Sequence, residues 1–281
     1  MSTEVSPDIA QALTANAERL RPFGARVLHL ATAGSTNDVA GRLAGDGAPE
    51  GTVVIADAQT AGRGRRGHTW HSPPHAGLYV SAVLRPSEAW LGSAPESIAL
   101  ITLAAGVAVA EGVRAAGGPT AEIKWPNDVV VGGREPAFSA RRWRKLAGIL
   151  AEGAAAGDGL QHVVLGFGIN VARVPYPAAL SDQITSVEHE TGRPIGRVAV
   201  LVETLAALAH WYAALASGDT ARVIARWRAL SPSAHGAPVA WTDAERLMEG
   251  VTAGVDRTGA LLAQTIRGDT HVIRSGEVTW L

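Results

Sequence analysis

Gly62-Arg63-Gly64-Arg65-Arg66-Gly67-His68-Thr69-Trp70-His71-Ser72-Pro73-Pro74 is the stretch on which the fold turns. Its first six residues satisfy the Gly-x-Gly-x-x-Gly spacing of a dinucleotide-binding loop, but that loop must open a helix whose N-terminus meets a pyrophosphate. Paired prolines and a following strand leave no helix to form, so the dinucleotide reading is rejected. No Gly-Lys-Ser or Gly-Lys-Thr phosphate loop occurs either. What remains is a flexible loop of concentrated positive charge, able to fold over an anion and make bidentate contacts. It lies in the connection Gln59 to Ala76, between β-branched strands at Thr52 to Ala58 and Gly77 to Leu84. That connection is long for a hairpin, and long loops inside compact domains are usually functional or disordered.

Working outward, Pro7 to Leu20 reads as an amphipathic helix and Arg26 to Leu30 as a strand. Gly34-Ser35-Thr36-Asn37-Asp38 then opens a short helix that stops at Gly45, a polar cap whose side chains point outward. Ser97 to Ala116 is a scaffold helix with Ile98, Ile101, Leu103 and Val107 turned inward. Strands follow at Ala121 to Trp125, Lys145 to Glu152 and Gln161 to Val171, then helices at Arg197 to Ala216 and Asp219 to Leu230. Beyond Ser231, short strands at Pro238 to Thr242, Met248 to Val255, Ala260 to Thr265 and His271 to Ile273 have the spacing of a small barrel. The predicted division is a domain over residues 1–231 and a second over 232–281.

The chain of 281 residues, 47% hydrophobic, is long enough for a sizeable core. A formal net charge of -1 gives no whole-chain basic field for nucleic acid or an acidic membrane. The absence of cysteine excludes disulfides and thiolate metal sites and fits the cytoplasm, where the protein is expected. Neither a signal peptide nor an apolar run of membrane-spanning length is read from the sequence. His68, His71 and His75 sit in a Pro-rich loop without cysteine or a nearby carboxylate, which argues for solvent-facing imidazoles over zinc.

Lysine occurs only at 124 and 145, against 23 arginines. An ammonium is a compact charge that fits a gap too narrow for the guanidinium fork, so these two positions stand out. If Trp125 is core, strand alternation turns Lys124 into a cleft. The ordinary role for such a lysine is a structural salt bridge. With the arginine-rich loop, it describes instead a site that neutralises a carboxylate and a triphosphate together. Gly166-Phe167-Gly168 could be ordinary strand glycines, but close approach of a ligand to the backbone is the better explanation.

Five blocks occur in an order that resembles the biotin protein ligases. They are Ser35-Thr36-Asn37, Gln59 with Gly62 to Gly67, Lys124-Trp125-Pro126-Asn127-Asp128, Lys145 to Leu150, and Gly166-Phe167-Gly168-Ile169-Asn170. The resemblance implies an α+β fold, with the mixed sheet shared by class II aminoacyl-tRNA synthetases and an SH3-like C-terminal domain. It implies a ligase that uses ATP with Mg2+ to turn biotin into biotinyl-5'-AMP, then passes biotin to a lysine of a biotin carboxyl carrier domain of an acyl-CoA carboxylase such as acetyl-CoA carboxylase.

By the same resemblance Ser35, Thr36, Asn37, Gln59, Gly62, Arg63, Gly64, Arg65, Lys124 and Gly148 would bind biotin. Arg63, Arg65, Arg66, Trp70, Asn127, Lys145, Gly168 and Asn170 would hold ATP or the adenylate. Lys124, Arg65 and Asp128 would serve catalysis, Arg65 as a clasp on the intermediate, while the magnesium would be held mainly by ATP phosphates. Some members carry an N-terminal winged helix, but fewer than 35 residues precede Ser35, so a short form without DNA binding is expected. The segment Gly132 to Arg144, with Pro136, Arg141 and Arg142, is longer than the turn anticipated there. Two rivals remain, a lipoate–protein ligase and a noncatalytic biotin sensor or adaptor. The arginine loop and terminal barrel favour biotin over lipoate, and ATP turnover separates enzyme from sensor.

Overall fold

The computed structural model describes residues 5–86, 94–132, 143–156, 159–177, 180–243, 246–274, 276 and 278–281. The 132–144 excursion, Pro136, Arg141 and Arg142 included, lies mostly outside them.

The first predicted helix is broken into α1 (Pro7–Ala15) and α2 (Ala17–Leu20). At Asn16 the backbone leaves helical geometry and the side-chain amide donates back to Ala12 O, a local bond that competes with the helix. β1 (Arg26–Leu30), α3 (Thr36–Gly45), β2 (Thr52–Ala56), β3 (Gly77–Leu84) and α4 (Ala94–Ala115) follow. The predicted strand at Lys124 is a short hairpin, β4 (Glu122–Lys124) and β5 (Asp128–Gly132), with Pro126 in its turn. β6 (Trp143–Ala156), β7 (Gly159–Asn170), α5 (Val187–Thr191), α6 (Arg197–Ala216) and α7 (Thr220–Leu230) complete the larger unit.

Its seven strands run in the order β1-β2-β3-β7-β6-β5-β4, with β1 and β2 parallel and the other neighbours antiparallel, a mixed sheet. Strand side chains alternate, so each strand serves two layers. Val53 and Ile55 of β2 and Leu165, Phe167 and Ile169 of β7 join the main core with α4 and α6. Val54, Val83 and Val164 face the other way, against Ala40 and Ala44 of α3. Leu201, Leu205 and Leu215 of α6 have no exposed surface, and such side chains stabilise by about 1.5–3 kcal/mol each.

Contrary to the sequence reading, α4 and α6 are each long and apolar enough to cross a bilayer by length and composition. Most of each apolar window is buried inside the protein, where it forms the core.

The remaining strands are β8 (His235–Asp243), β9 (Arg246–Val255), β10 (Leu261–Gln264), β11 (Thr270–Ile273) and β12 (Val278–Trp280), an antiparallel sheet ordered β11-β10-β9-β8-β12. This is the small C-terminal β domain. Its Val239, Trp241, Val255 and Leu261 share the main core, and Trp125 Nε1 donates to Gly259 O at 3.0 Å. The indole of Trp125 thus anchors the C-terminal domain while its neighbour Lys124 turns the other way.

Candidate active site

Strand register places the site. Lys124, Asp128, Gly148, Gly168 and Tyr79 are successive partners across β4, β5, β6, β7 and β3, and Gly166 pairs with Leu150 one step along. Partners in register share a face, here the one that α3 covers only in part. Glycines at 148, 166 and 168 leave a depression in that face. Neighbouring side chains use the space: a Cβ on Gly168 would lie 2.5 Å from the Trp70 ring, one on Gly148 2.9 Å from it, and one on Gly166 2.1 Å from Asn37 Oδ1. The resulting cavity holds about 290 Å³.

One wall is the start of α3. Ser35, Thr36 and Asn37 are buried into the protein, correcting the expectation that this end points outward, and Ser35 makes no side-chain cap. Gln59 Oε1 accepts from the Thr36 amide at 2.8 Å and its hydroxyl at 3.2 Å, while Gln59 Nε2 donates to Ser72 Oγ at 2.9 Å. The Ser81 hydroxyl lies 2.6 Å from Asn37 Oδ1 and 2.8 Å from Thr36 Oγ1, and Asn37 Nδ2 donates to Glu152 at 2.6 Å. These bonds hold a ready set of amide and hydroxyl groups at fixed angles.

The arginine loop is a small hydrogen-bonded ribbon in this structure. Trp70 N donates to Gly62 O at 2.9 Å and Gly64 N to His68 O at 2.7 Å, around a 3-10 turn over Arg65–Gly67. Arg66 at its tip has φ of 55°, a left-handed conformation uncommon outside glycine. Arg63 is engaged with Asp38 at 2.6 Å and Glu152 at 3.4 Å. Arg65 reaches between this cavity and a second one of about 270 Å³ lined by Leu103, Trp125 and Arg274. Burial, then the charge of Arg66, works against its protonated form, with Asp128 in opposition. Among the described residues Arg65 has no ion pair.

The two lysines are handled differently. Lys145 Nζ is 2.6 Å from Asp128 Oδ1 and lies 5.3 Å from the Trp70 ring centroid. Lys124, half-buried in the cavity wall, has no ion pair or hydrogen bond among the described residues; its Nζ lies 5.3 Å from the Trp143 ring and 5.8 Å from the Trp280 ring. Burial above all, and Lys145 next, pull its pKa below the ordinary lysine value, with Asp128 pulling the other way.

The expected residues therefore converge, except for Gly62 and Asn170, which do not line the cavity. Asn170 is buried, and its amide donates to Lys145 O and Thr185 O, so it holds the strand that carries Lys145. Gly62 shapes the loop, since a Cβ there would meet Trp70 O at 2.6 Å. Asn127 lines the cavity, but its amide is spent on Ile149 O at 2.8 Å. Sequence reasoning missed Ser81, Glu152, Trp143 and Trp280, none of which lies in a recognisable motif. Among the described residues no group of three or more His, Asp or Glu could hold a metal ion. His71 packs against Tyr176, whereas His75 lies 3.6 Å from Asp57.

Comparison with known proteins gives a consistent set of relatives. The model of the biotin/lipoate A/B protein ligase family matches residues 32–170. A biotin–[acetyl-CoA-carboxylase] ligase of Paracoccus denitrificans is 34% identical over 89% of this chain and 98% of its own length. A bifunctional ligase/repressor of Bacillus subtilis is 33% identical over 88% of this chain and 71% of its own. The solved biotin protein ligase of Aquifex aeolicus in complex with biotin and ATP superimposes with a TM-score of 0.73, at 26% identity over 92% of this chain and 99% of that one.

Proposed function

Because the chain belongs to the biotin/lipoate A/B protein ligase family and is a ligase, we propose that it activates biotin with ATP and transfers it to a carrier-protein lysine. In the first step a biotin carboxylate oxygen bonds to the α-phosphorus while the bond to the β-phosphate oxygen breaks, giving biotinyl-5'-AMP and pyrophosphate. In the second, the amine of an acceptor lysine attacks the acyl carbon, loses a proton and expels AMP.

The observation that carries this reading is Lys124: an ammonium in the cavity wall, unpaired among the described residues, beside buried amide and hydroxyl groups. Two anions repel as they meet, so the barrier falls where a cation is already in place as charge develops. Thr36, Asn37 and Gln59 offer donors and acceptors suited to the ureido ring of biotin. Trp70, lying over Gly148 and Gly168, offers an aromatic face for adenine. Arg65, which lines the cavity and has no ion pair among the described residues, is assigned the clasp that shields the labile mixed anhydride from water. The donor set suits magnesium carried in on the phosphates of ATP, since Asp128, a carboxylate of the cavity lining, is already shared with Lys145. That ion would offset phosphate charge.

Residues 1–231 are assigned the activation chemistry and 232–281 the accessory β domain, a division supported by the second sheet starting at His235. The acceptor is assigned as the biotin carboxyl carrier domain of an acyl-CoA carboxylase, met in the cytoplasm, and no operator binding is assigned. The test is incubation with MgATP, a carrier domain and either biotin or lipoic acid, followed by mass spectrometry of the carrier. Biotin is expected to add its mass less one water. A gain with lipoic acid alone, or binding of biotin without ATP turnover, overturns the reading.

A further inference from the structure

Lys124 is placed by something other than a carboxylate. Its register partner Asp128 is occupied by Lys145 at 2.6 Å, and Lys124 itself forms no ion pair or hydrogen bond among the described residues. Around its amine stand two indoles, Trp143 at 5.3 Å and Trp280 at 5.8 Å from the ring centroids. Those rings meet edge to face, 5.6 Å apart at 88°. A cation in such a corner is attracted by the negative face of each ring, and the attraction grows as water is removed.

The two rings are carried by different sheets. Trp143 opens β6 opposite Gly132, and its indole uses the space a side chain would take there: a Cβ on Gly132 would lie 2.8 Å from Trp143 Cδ1. Trp280 belongs to β12, an edge strand of the C-terminal sheet, where it pairs with Val239. β4, which carries Lys124, is an edge strand of the larger sheet. Neither indole N–H has a hydrogen-bond partner among the described residues, so hydrogen bonding does not account for where the rings stand.

We infer that Trp143 and Trp280 form an aromatic clamp that positions the Lys124 ammonium for the activation step, so that the C-terminal domain, which also lines the cavity at Gly276 and Val278, helps to place this amine through Trp280. Both are positioning residues, and the inference rests on the activation chemistry proposed above. The clamp directs an amine that has no ion pair among the described residues, so no carboxylate bonded to it there competes with the incoming carboxylate and phosphate for its charge. A compact ammonium presents its charge as a point in the corner, whereas the planar guanidinium of arginine would stack on a ring face and set its charge elsewhere.

The two-lysine composition makes the test direct. Protein labelled with [ε-13C]lysine yields two side-chain signals, assigned by Lys145→Arg. In the wild type the Lys124 methylene protons are expected upfield, displaced by the indole ring currents, and in Trp280→Leu they move back toward the position of free lysine. In parallel, biotin-dependent pyrophosphate release is expected to fall about tenfold in kcat for Trp280→Leu, with KM little changed and most activity kept by Trp280→Phe. An unshifted Lys124 signal in the wild type overturns the clamp, as does equal impairment of the Leu and Phe variants or a wild-type rate in the Leu variant. Trp143→Leu leaves β12 intact and is read by the same criteria should Trp280→Leu disturb the C-terminal sheet. A shifted signal in an enzyme that releases no pyrophosphate with biotin overturns the functional reading alone.

Discussion

Asp128 is the register partner of Lys124 across the β4–β5 hairpin, yet its carboxylate is held by Lys145, 2.6 Å away. One lysine is thereby neutralised and the other kept available. The pair is partly exposed, so it adds at most about 1 kcal/mol to stability and matters for where it leaves the charges.

Lys124→Arg keeps the charge but replaces a compact amine with a planar fork that would stack on an indole face and set its charge elsewhere. Pyrophosphate release is expected to fall by about a hundredfold or more, the scale for losing one preorganised group at a developing charge. A steady-state assay with biotin and ATP checks this, and a rate near that of the wild type would remove Lys124 from the mechanism.

Arg65→Gly removes a guanidinium side chain from the cavity lining and is expected to let the adenylate escape. Free biotinyl-5'-AMP should accumulate in solution and label bystander lysines on an added protein, read by streptavidin blot. Unchanged retention of the intermediate refutes the clasp.

Gly168→Ala sets a methyl group 2.5 Å from the Trp70 indole, closer than two such atoms approach. The ring must move off the sheet, so a changed tryptophan emission and weaker ATP binding are expected, with biotin binding at α3 less affected. Calorimetric titration with each ligand separates the two.

Activation should fail on the alkaline side below the ordinary lysine pKa of 10.5, because burial first and Lys145 second lower that of Lys124. The protonated amine is the active form, so the rate falls as pH rises through the folded-state value. For stability the sign is opposite: the charged amine is a cost at neutral pH, relieved as pH rises through that value. A pH profile of pyrophosphate release, compared with pH-dependent urea unfolding, checks both signs.

Beneath the loop, Asp57 accepts from Arg197 at 2.8 Å and lies 3.2 Å from His29. Burial alone would raise its pKa, but the hydrogen bond and charge of Arg197, aided by His29, outweigh it and hold the carboxyl below its ordinary 3.8. Its contribution to stability is therefore full above that value and lost as pH falls through the depressed one. Arg197→Leu should cost about 1–3 kcal/mol and move acid unfolding to higher pH, measured by circular dichroism.

Much of this was legible beforehand. β1, β3 and α6 fall on their expected residues because alternation and helical spacing are strong over those lengths. β5, α5 and β12 were not foreseen. Segments this short carry little periodicity of their own, and Val129 to Val131 follow a Pro-Asn-Asp turn that reads as loop. Asn170 lies off the cavity, and its amide donates to two backbone carbonyls; an asparagine at the end of a glycine-rich strand looks the same in sequence in either setting.

By itself the amino-acid order determined most of the longer strands and helices, where glycines leave room, and that Lys124 turns away from the core. Those are local properties, set by alternation, side-chain size and turn chemistry within a few residues. Tertiary structure alone decided that Asp128 takes Lys145, that Ser81 and Glu152 buttress Asn37, and that Trp280 arrives beside Lys124 from 156 positions along the chain. Inter-strand register and the docking of one sheet against another choose among partners of equal chemistry, and both arise from contacts between residues remote in sequence.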